Sequence, residues 1–167
     1  MNLRLAAVAA SFLVVLAGCG GNTDNKPASD PSSSVPKRPT KAIELATALN
    51  AKIPSITKTV QITEDNDPND KIGRPDGYTD AAVLYDGTVD LCTKDDFGTA
   101  CGASIEIWPS ATDAEKRSKF ILKILKSANG VLGSEYDYLN GNQLLRVDGG
   151  VKPSLAKKYE AAWKALG

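Results

Sequence analysis

The sequence has 167 residues, 42% of them hydrophobic and two of them tryptophan, which fits one modest domain with processing and linker segments. Its 20 basic and 20 acidic residues cancel, so no net field favours nucleic acid as a partner or electrostatic attachment to a membrane. Histidine is absent, which excludes Ser-His-Asp and Cys-His catalysis and imidazole zinc sites and leaves carboxylates as the catalytic groups to consider.

The first 18 residues are typical of a signal peptide. Arg4 supplies the positive charge, residues 5–17 form an uncharged apolar run, and the chain becomes polar soon after Cys19. The run is shorter than the ~20 apolar residues that a spanning helix needs, so a permanent transmembrane segment is disfavoured. The tetrad Leu16-Ala17-Gly18-Cys19 resembles the lipobox of bacterial lipoproteins.

The lipobox resemblance implies how the mature protein is held. In that family a dedicated peptidase cuts directly before the cysteine, and the cysteine thiol carries a diacylglycerol with acyl chains such as palmitate. Residues 1–18 are then the lipoprotein signal peptide, and Cys19 anchors the protein in the lipid bilayer on the extracytoplasmic face of the cell membrane. Two acyl chains attach stably because each buried methylene contributes about 0.8 kcal/mol. A secretory signal followed by a chance cysteine is the alternative.

Two further cysteines remain once Cys19 is acylated. An even pair in an exported protein predicts a disulfide between Cys92 and Cys101, closing a polar loop of about ten residues. In the loop-entropy treatment such a bond stabilises the fold by about 2 to 3 kcal/mol. A metal or redox pair is the other interpretation, but the pair has neither CxxC spacing nor histidine partners.

Residues 19–39 are predicted to be the acylated cysteine and a disordered tether. They are rich in Gly, Asn, Asp, Ser and Pro and cannot bury an apolar face, and about 20 such residues have a root-mean-square span of about 25 Å. Residues 40–167 are predicted to form a single globular domain.

Hydrophobic periodicity divides the domain into helices and strands. Thr40 is the predicted cap of the first helix, Thr112-Asp113-Ala114-Glu115 is a predicted capping box, and Asn140-Gly141 marks a hairpin turn. Asp86-Gly87 is either a tight turn or a bulge. The predicted elements are a helix over 40–52, strands over 58–63, 81–85, 88–92 and 104–108, a helix over 112–128, a hairpin of 136–139 with 143–147, and a helix over 153–166.

This order of elements predicts an α+β fold. We expect an antiparallel sheet of four to five strands with the helices packed on one face and one disulfide. Tyr159 and Trp163 recur at helical spacing on the last helix, which predicts that they are core residues rather than a binding face.

A long polar loop over residues 63–78 is the least ordinary part of the sequence. It is rich in Asp and Asn, but Asp70 stands where a calcium loop of the EF-hand type needs glycine, so no metal site and no cofactor are predicted. One interpretation is that its Asp and Asn side chains make local turns while Arg74 pairs with a neighbouring carboxylate. The other is a recognition loop. The residues that would serve it are Asp67, Asn69, Arg74 and Tyr78.

The mature domain also carries a more distributed pattern. Asp67-Pro68-Asn69, the run over 73–78 that reads GRPDGY, the Ile-Glu-Ile strand at 105–107, the tyrosines at 136 and 138 and the Leu-rich strand at 144–147 together resemble small, uncharacterised actinobacterial or actinophage lipoproteins with a DPN…GRPxGY pattern. This resemblance implies the architecture and an envelope location, and it implies no activity.

These observations favour a membrane-anchored extracytoplasmic lipoprotein that acts as a non-enzymatic binding or interaction module of the cell envelope. A more specific form is a phage-type surface exclusion lipoprotein that binds an envelope or phage protein, and a structural tether or secreted inhibitor is a further possibility. The enzymatic alternative is a carboxylate-dependent envelope hydrolase. Its candidate acids crowd one loop, whereas glycoside hydrolysis needs two carboxyl groups facing each other about 5 to 9.5 Å apart. Those acids are Asp65, Asp67, Asp70 and Asp76.

Overall fold

The fold is built on one antiparallel sheet. The structure, a computed structural model, describes residues 37–90, 92–93 and 96–167, so the signal peptide, Cys19 and most of the predicted tether lie outside the described residues. Within that part, five strands lie side by side in the order β1-β2-β3-β5-β4, and every neighbouring pair is antiparallel. The strands are β1 (Ile56–Ile62), β2 (Asp80–Asp86), β3 (Gly102–Ile107), β4 (Glu135–Asn140) and β5 (Gln143–Asp148).

Three α-helices accompany the sheet in the described residues. They are α1 (Ala42–Asn50), α2 (Ala111–Ser127) and α3 (Pro153–Lys164). None of the described helices is both long and apolar enough to cross a bilayer. The predicted α+β class and the antiparallel sheet are thus confirmed.

The expectation that all helices pack on one face is wrong. α1 and α3 cover the face that carries Ala82 and Leu84, whereas α2 lies on the opposite face, where Ala114 packs near Ala81 and Val83. The reason is visible in β2, whose consecutive residues 81–84 are all buried. A strand that buries both of its faces needs a covering layer on each side.

The face under α1 and α3 is apolar. Leu45 and Leu49 of α1 and Tyr159 and Trp163 of α3 are buried against the sheet, which confirms the predicted core role of the last helix. The hydroxyl of Tyr159 donates to the Asp86 carboxylate at 2.7 Å, so this buried hydroxyl is satisfied at the end of β2.

The starts of the first two helices differ from the prediction, whereas α3 begins at Pro153 as predicted. α1 begins at Ala42, whose amide donates to the Asp80 carboxylate at 2.8 Å, while Thr40 caps nothing. α2 is capped by Ser110, whose hydroxyl accepts from the amide of Asp113 at 3.2 Å. The cap of α1 comes from a residue distant in sequence, which no local pattern can reveal.

The connection from β2 to β3 contains the disulfide. The described residues of the strand predicted over 88–92, which are 88–90 and 92, form no strand. β2 ends at Asp86, whose carboxylate accepts from the amide and hydroxyl of Thr88 to make a turn. A short 3₁₀ helix, Thr99–Cys101, then leads into β3. Cys92 and Cys101 form the predicted disulfide, so the hairpin of β2 and β3 is stapled across its long connection.

The hairpin of β4 and β5 confirms its prediction with a small shift. Asn140 pairs with Gln143, so the turn residues are Gly141 and Asn142, one position later than Asn140-Gly141. Gly141 has a φ of 57°, which is the left-handed conformation that a first turn residue of this kind needs.

The domain starts slightly before the predicted boundary. Arg38, assigned to the tether from sequence, stacks over the Trp163 ring at 4.1 Å and donates to the backbone carbonyl of Trp163 at 2.8 Å. Gln143 donates to the carbonyl of Pro39 at 2.9 Å. The described chain therefore leaves the domain beside the start of β5.

Candidate binding site between the polar loop and helix α2

The polar loop is organised around the carboxylate of Asp67. Its Oδ1 accepts from the amide of Asn69 at 2.9 Å and from the Tyr78 hydroxyl, and its Oδ2 accepts from the amides of Lys71 and Ile72 at 2.7 and 2.8 Å. Burial alone would raise the pKa of Asp67, but these hydrogen bonds outweigh it and lower the pKa below its usual value. Asp67 thus holds the loop in one conformation.

Gly77 explains part of the GRPDGY run. A Cβ at this position would lie 1.9 Å from the backbone oxygen of Lys71, so any other residue would force the loop open. The neighbouring Asp76 has a φ of 59°, a left-handed conformation that Asp tolerates better than most residues.

Tyr78 ties the loop to the sheet. It is buried and meets Trp108 edge to face, with ring centroids 5.8 Å apart. Burial and the adjacent Asp67 carboxylate raise the pKa of Tyr78 well above its usual value, so its hydroxyl stays a donor. Its oxygen also accepts from the side-chain amide of Asn69 at 3.3 Å.

A buried ionic network lies beneath the loop. Glu106 of β3 is 2% exposed, and its carboxylate accepts from Arg146 at 2.8 Å, from Arg117 at 3.3 Å and from the Trp108 indole at 3.0 Å. Arg146 in turn makes a two-bond pair with Glu135, at 2.7 and 2.8 Å. Two carboxylates and two guanidinium groups thus balance within the fold, which limits the cost of burying them.

The network joins three separate elements. Arg117 of α2 also donates to the side-chain oxygen of Asn69 at 3.3 Å, and Asn69 reaches Tyr78 and hence Asp67. The loop, the helix and the sheet are therefore connected by one continuous chain of hydrogen bonds, which fixes their relative positions.

A groove of about 510 Å³ lies between this loop and α2. Its lining is partly apolar and partly charged: Trp108, Pro109 and Phe120 are apolar, and Lys71, Asp76, Asp113, Lys116 and Arg117 are charged. Phe120 is 57% exposed. A groove that combines exposed aromatic surface with a few polar groups on a rigid base is the kind of site that binds a small ligand or a peptide segment.

The predicted recognition residues divide into two groups. Asp67, Asn69 and Tyr78 come together, but their polar atoms are engaged with each other and with the loop backbone. Arg74 lies apart from them on the surface, where it pairs with Asp70 at 2.5 Å. This is the arrangement of local turns and one surface ion pair that the sequence allowed as an alternative.

Sequence reasoning missed the residues that support the groove. Glu106 and Arg146 were assigned only to strands, and Glu135 lay just before the strand predicted over 136–139. A signal was present at Arg117, which falls on the apolar stripe of α2 together with Ala114, since a charged residue on a buried stripe requires a buried partner. Among the described residues, no group of three or more Cys, Asp and Glu side chains could hold a metal ion.

Comparisons with known proteins add no assignment to this site. No protein-family model matches the chain, and no curated protein or solved structure matches it either. The groove and its support are therefore the basis on which a function can be argued.

Proposed function

We propose that this protein is a lipid-anchored, extracytoplasmic binding module of the cell envelope without enzymatic activity of its own. The observation that carries the proposal is the pairing of Cys92 with Cys101, which leaves Cys19 as the remaining cysteine of the sequence. Structural disulfides persist in oxidising compartments outside the cytoplasm, and Cys19 ends the lipobox-like tetrad. The two features independently favour the same location.

The groove supports the binding half of the proposal. Glu106 holds two of its lining residues, Trp108 and Arg117, and Asp67 holds its loop, so a ligand meets a surface that needs little ordering. Phe120 and Trp108 offer apolar contact. The charged lining groups are of both signs, since Asp76 and Asp113 line the groove together with Lys71 and Lys116. The lining therefore favours a ligand or protein segment that combines an apolar part with polar groups.

The arrangement of acids favours binding over hydrolysis. Both oxygens of Asp67 accept hydrogen bonds from the loop, and Asp70 pairs with Arg74. Glu106, the buried acid near the groove, has both oxygens engaged by arginines. A nucleophile needs a free lone pair, and hydrogen bonds occupy both oxygens of Asp67 and of Glu106.

The anchor is tested by metabolic labelling with an alkyne analogue of palmitate in cells that express the full chain. We expect label in the wild-type protein and none in the Cys19→Ala variant, with both proteins retaining the Cys92–Cys101 disulfide. Equal labelling of both proteins, or no label in either, would contradict the lipid attachment at Cys19.

The groove is tested by capture from envelope extracts with the tagged full chain. We expect Phe120→Ser to reduce capture of the bound component at least tenfold, since an exposed aromatic anchor is the kind of residue that dominates binding. Leu139→Ser is the matched control, because Leu139 is also an exposed large hydrophobic residue but does not line the groove. Equal capture by all three proteins would exclude the groove as the binding surface.

A further inference from the structure

The segment from residue 116 to residue 134 is positively charged, although the chain as a whole has no net charge. It contains four lysines and one arginine and no acidic residue. Arg117 is buried in the ionic network, but the four lysines are exposed. Lys116 pairs with Asp113 at 3.4 Å and Lys119 with Glu115 at 2.6 Å, whereas neither Lys123 nor Lys126 has an ion pair among the described residues. The second half of α2 is therefore locally basic.

The same segment carries much of the exposed apolar surface. Leu122 and Ile124 are partly exposed on α2, and Val131 and Leu132, in the turn that follows the helix, are 86% and 59% exposed. The turn is hydrogen-bonded, since the amide of Val131 donates to the carbonyl of Ala128 at 3.0 Å. Two largely exposed apolar side chains thus lie on a hydrogen-bonded turn.

We propose that this end of α2 docks on a bilayer that contains anionic phospholipids. We call the docking surface, made of Lys119, Lys123, Lys126, Val131 and Leu132, the basic tip. Lysines that flank exposed apolar residues are the combination that binds a membrane interface, with the ammonium groups near lipid phosphates and the apolar groups at the headgroup boundary. The inference rests on the proposed function, which places the domain beside a bilayer.

The geometry of the anchor allows the contact. Lys37 lies 18 residues after Cys19, and at up to ~3.6 Å per residue that stretch can reach about 65 Å. The described chain leaves the domain beside Gln143 at the start of β5, whereas the turn after α2 lies near the end of β5, where the amide of Gly149 donates to the carbonyl of Ser134. A six-residue strand is about 20 Å long, so the basic tip lies within reach of the anchored membrane.

A second copy of this chain suits the basic tip less well than a lipid surface does. A symmetric pair would place the same patch of each copy against the other, which brings lysines against lysines. Anionic headgroups supply the opposite charge, and the bilayer boundary receives Val131 and Leu132.

The proposal is tested with the acylated full chain reconstituted into vesicles. A Val131→Cys variant is labelled with an environment-sensitive fluorophore, because its new thiol is free while Cys92 and Cys101 are bonded to each other. We expect the fluorophore to shift to an apolar environment in vesicles of phosphatidylglycerol with phosphatidylcholine, and to stay aqueous in vesicles of phosphatidylcholine alone. High salt should reverse the shift because it screens the lysines.

Two double lysine substitutions distinguish docking through the basic tip from a general effect of the protein's net charge. In the labelled protein, Lys123→Gln with Lys126→Gln should weaken docking by about 25-fold, since each lysine near an anionic surface contributes about fivefold. Lys157→Gln with Lys158→Gln is the matched control, because these lysines are exposed on α3 across the sheet. Equal effects of the two pairs, or an aqueous fluorophore in both vesicle types, would overturn the proposal.

Self-association and failure of the anchor are distinguished from lipid docking by further outcomes of the same experiment. A shift that depends on protein concentration and not on lipid charge would show self-association in place of lipid docking, and would overturn the proposal. Failure of the anchor is read separately, as loss of co-flotation with vesicles of phosphatidylcholine alone, on which the basic tip is not expected to dock. A shift that survives in the Cys19→Ala full chain mixed with anionic vesicles would support docking even then.

Discussion

The two faces of the sheet are covered by different chemistry. Under α1 and α3 the contacts are apolar, with Leu45, Leu49 and Trp163 buried against the strands. Under α2 and the polar loop, the centre of the sheet carries Glu106 and Arg146 in a buried ionic network. Apolar contact is non-directional and mainly stabilises the fold, whereas paired charges hold only in one geometry. The comparison indicates that one face supplies stability and the other positions the groove.

The apolar face should give the largest loss of stability. Trp163→Ala removes a side chain that is 1% exposed and also the ring over which Arg38 stacks, so we expect the free energy of unfolding to fall by about 3 to 5 kcal/mol. Urea denaturation of wild type and variant measures this difference in the free energy of unfolding. Leu139→Ala, an exposed position, should change the same quantity by less than about 0.5 kcal/mol. A loss below about 1 kcal/mol at Trp163 would contradict the assignment of stability to this face.

Removing one charge from the ionic face should lower stability, whereas removing all four paired charges together should leave stability nearly unchanged. Glu106→Gln leaves Arg117 and Arg146 with an uncompensated buried charge, and we expect a loss of about 3 kcal/mol by urea denaturation. Replacing Glu106, Glu135, Arg117 and Arg146 together by apolar residues of similar volume should restore stability to within about 1 kcal/mol of wild type and abolish capture through the groove. Retained capture in the fourfold variant would show that the network does not position the groove.

Asp137 makes the ionic face sensitive to pH. Burial raises the pKa of Asp137 to about 6, the Ser118 hydroxyl offsets this in part, and the charge of Glu135 adds to it. Neither oxygen of Asp137 has a hydrogen-bonding partner that meets normal geometry among the described residues. The folded state therefore binds this proton more readily than the unfolded state, and stability should rise by about 2 kcal/mol as the pH falls through 6 towards 4. Urea unfolding at several pH values should show this rise in wild type and not in Asp137→Asn.

Asp67 should show the opposite and smaller dependence. Its pKa is lowered in the folded state, so its contribution is present above a pH of about 4 and is lost as the pH falls through the folded pKa. Asp67→Asn should lower the free energy of unfolding by about 1 to 2 kcal/mol at neutral pH, and should reduce its dependence on pH below about 4. A variant as stable as wild type at neutral pH would show that the loop does not depend on this carboxylate.

The predictable parts of the fold are those with local causes. The hairpin of β4 and β5 follows from Gly141 between alternating residues, and α3 follows from Pro153 and the spacing of Tyr159 and Trp163. The first amide of α1, that of Ala42, is capped by Asp80, which is 38 residues away. The local sequence pattern therefore predicted Thr40 as the cap instead. The described part of the range 88–92 is not a strand, because the Asp86 carboxylate accepts from Thr88 and makes a turn directly after β2. Tertiary contacts decide such positions, and a single sequence does not display them.

The candidate site was less predictable than the fold. Asp67, Asn69 and Tyr78 were found because an Asp- and Asn-rich loop of that length is unusual, although they organise the loop and do not offer free polar atoms. The burial and pairing of Glu106 and Arg146 were not predicted, because a charge that alternates with apolar residues in a strand normally indicates a solvated face. Only the packing of α2 across that face turns these two residues into a buried pair.

The most direct test of the proposed location is the mass of the mature protein. Intact mass spectrometry of protein extracted from membranes should give a chain that begins at Cys19 and carries a thioether-linked diacylglycerol, with the Cys92–Cys101 disulfide in place. A chain that retains residues 1–18, or one that begins elsewhere with an unmodified thiol at Cys19, would contradict the account of a lipid-anchored envelope protein.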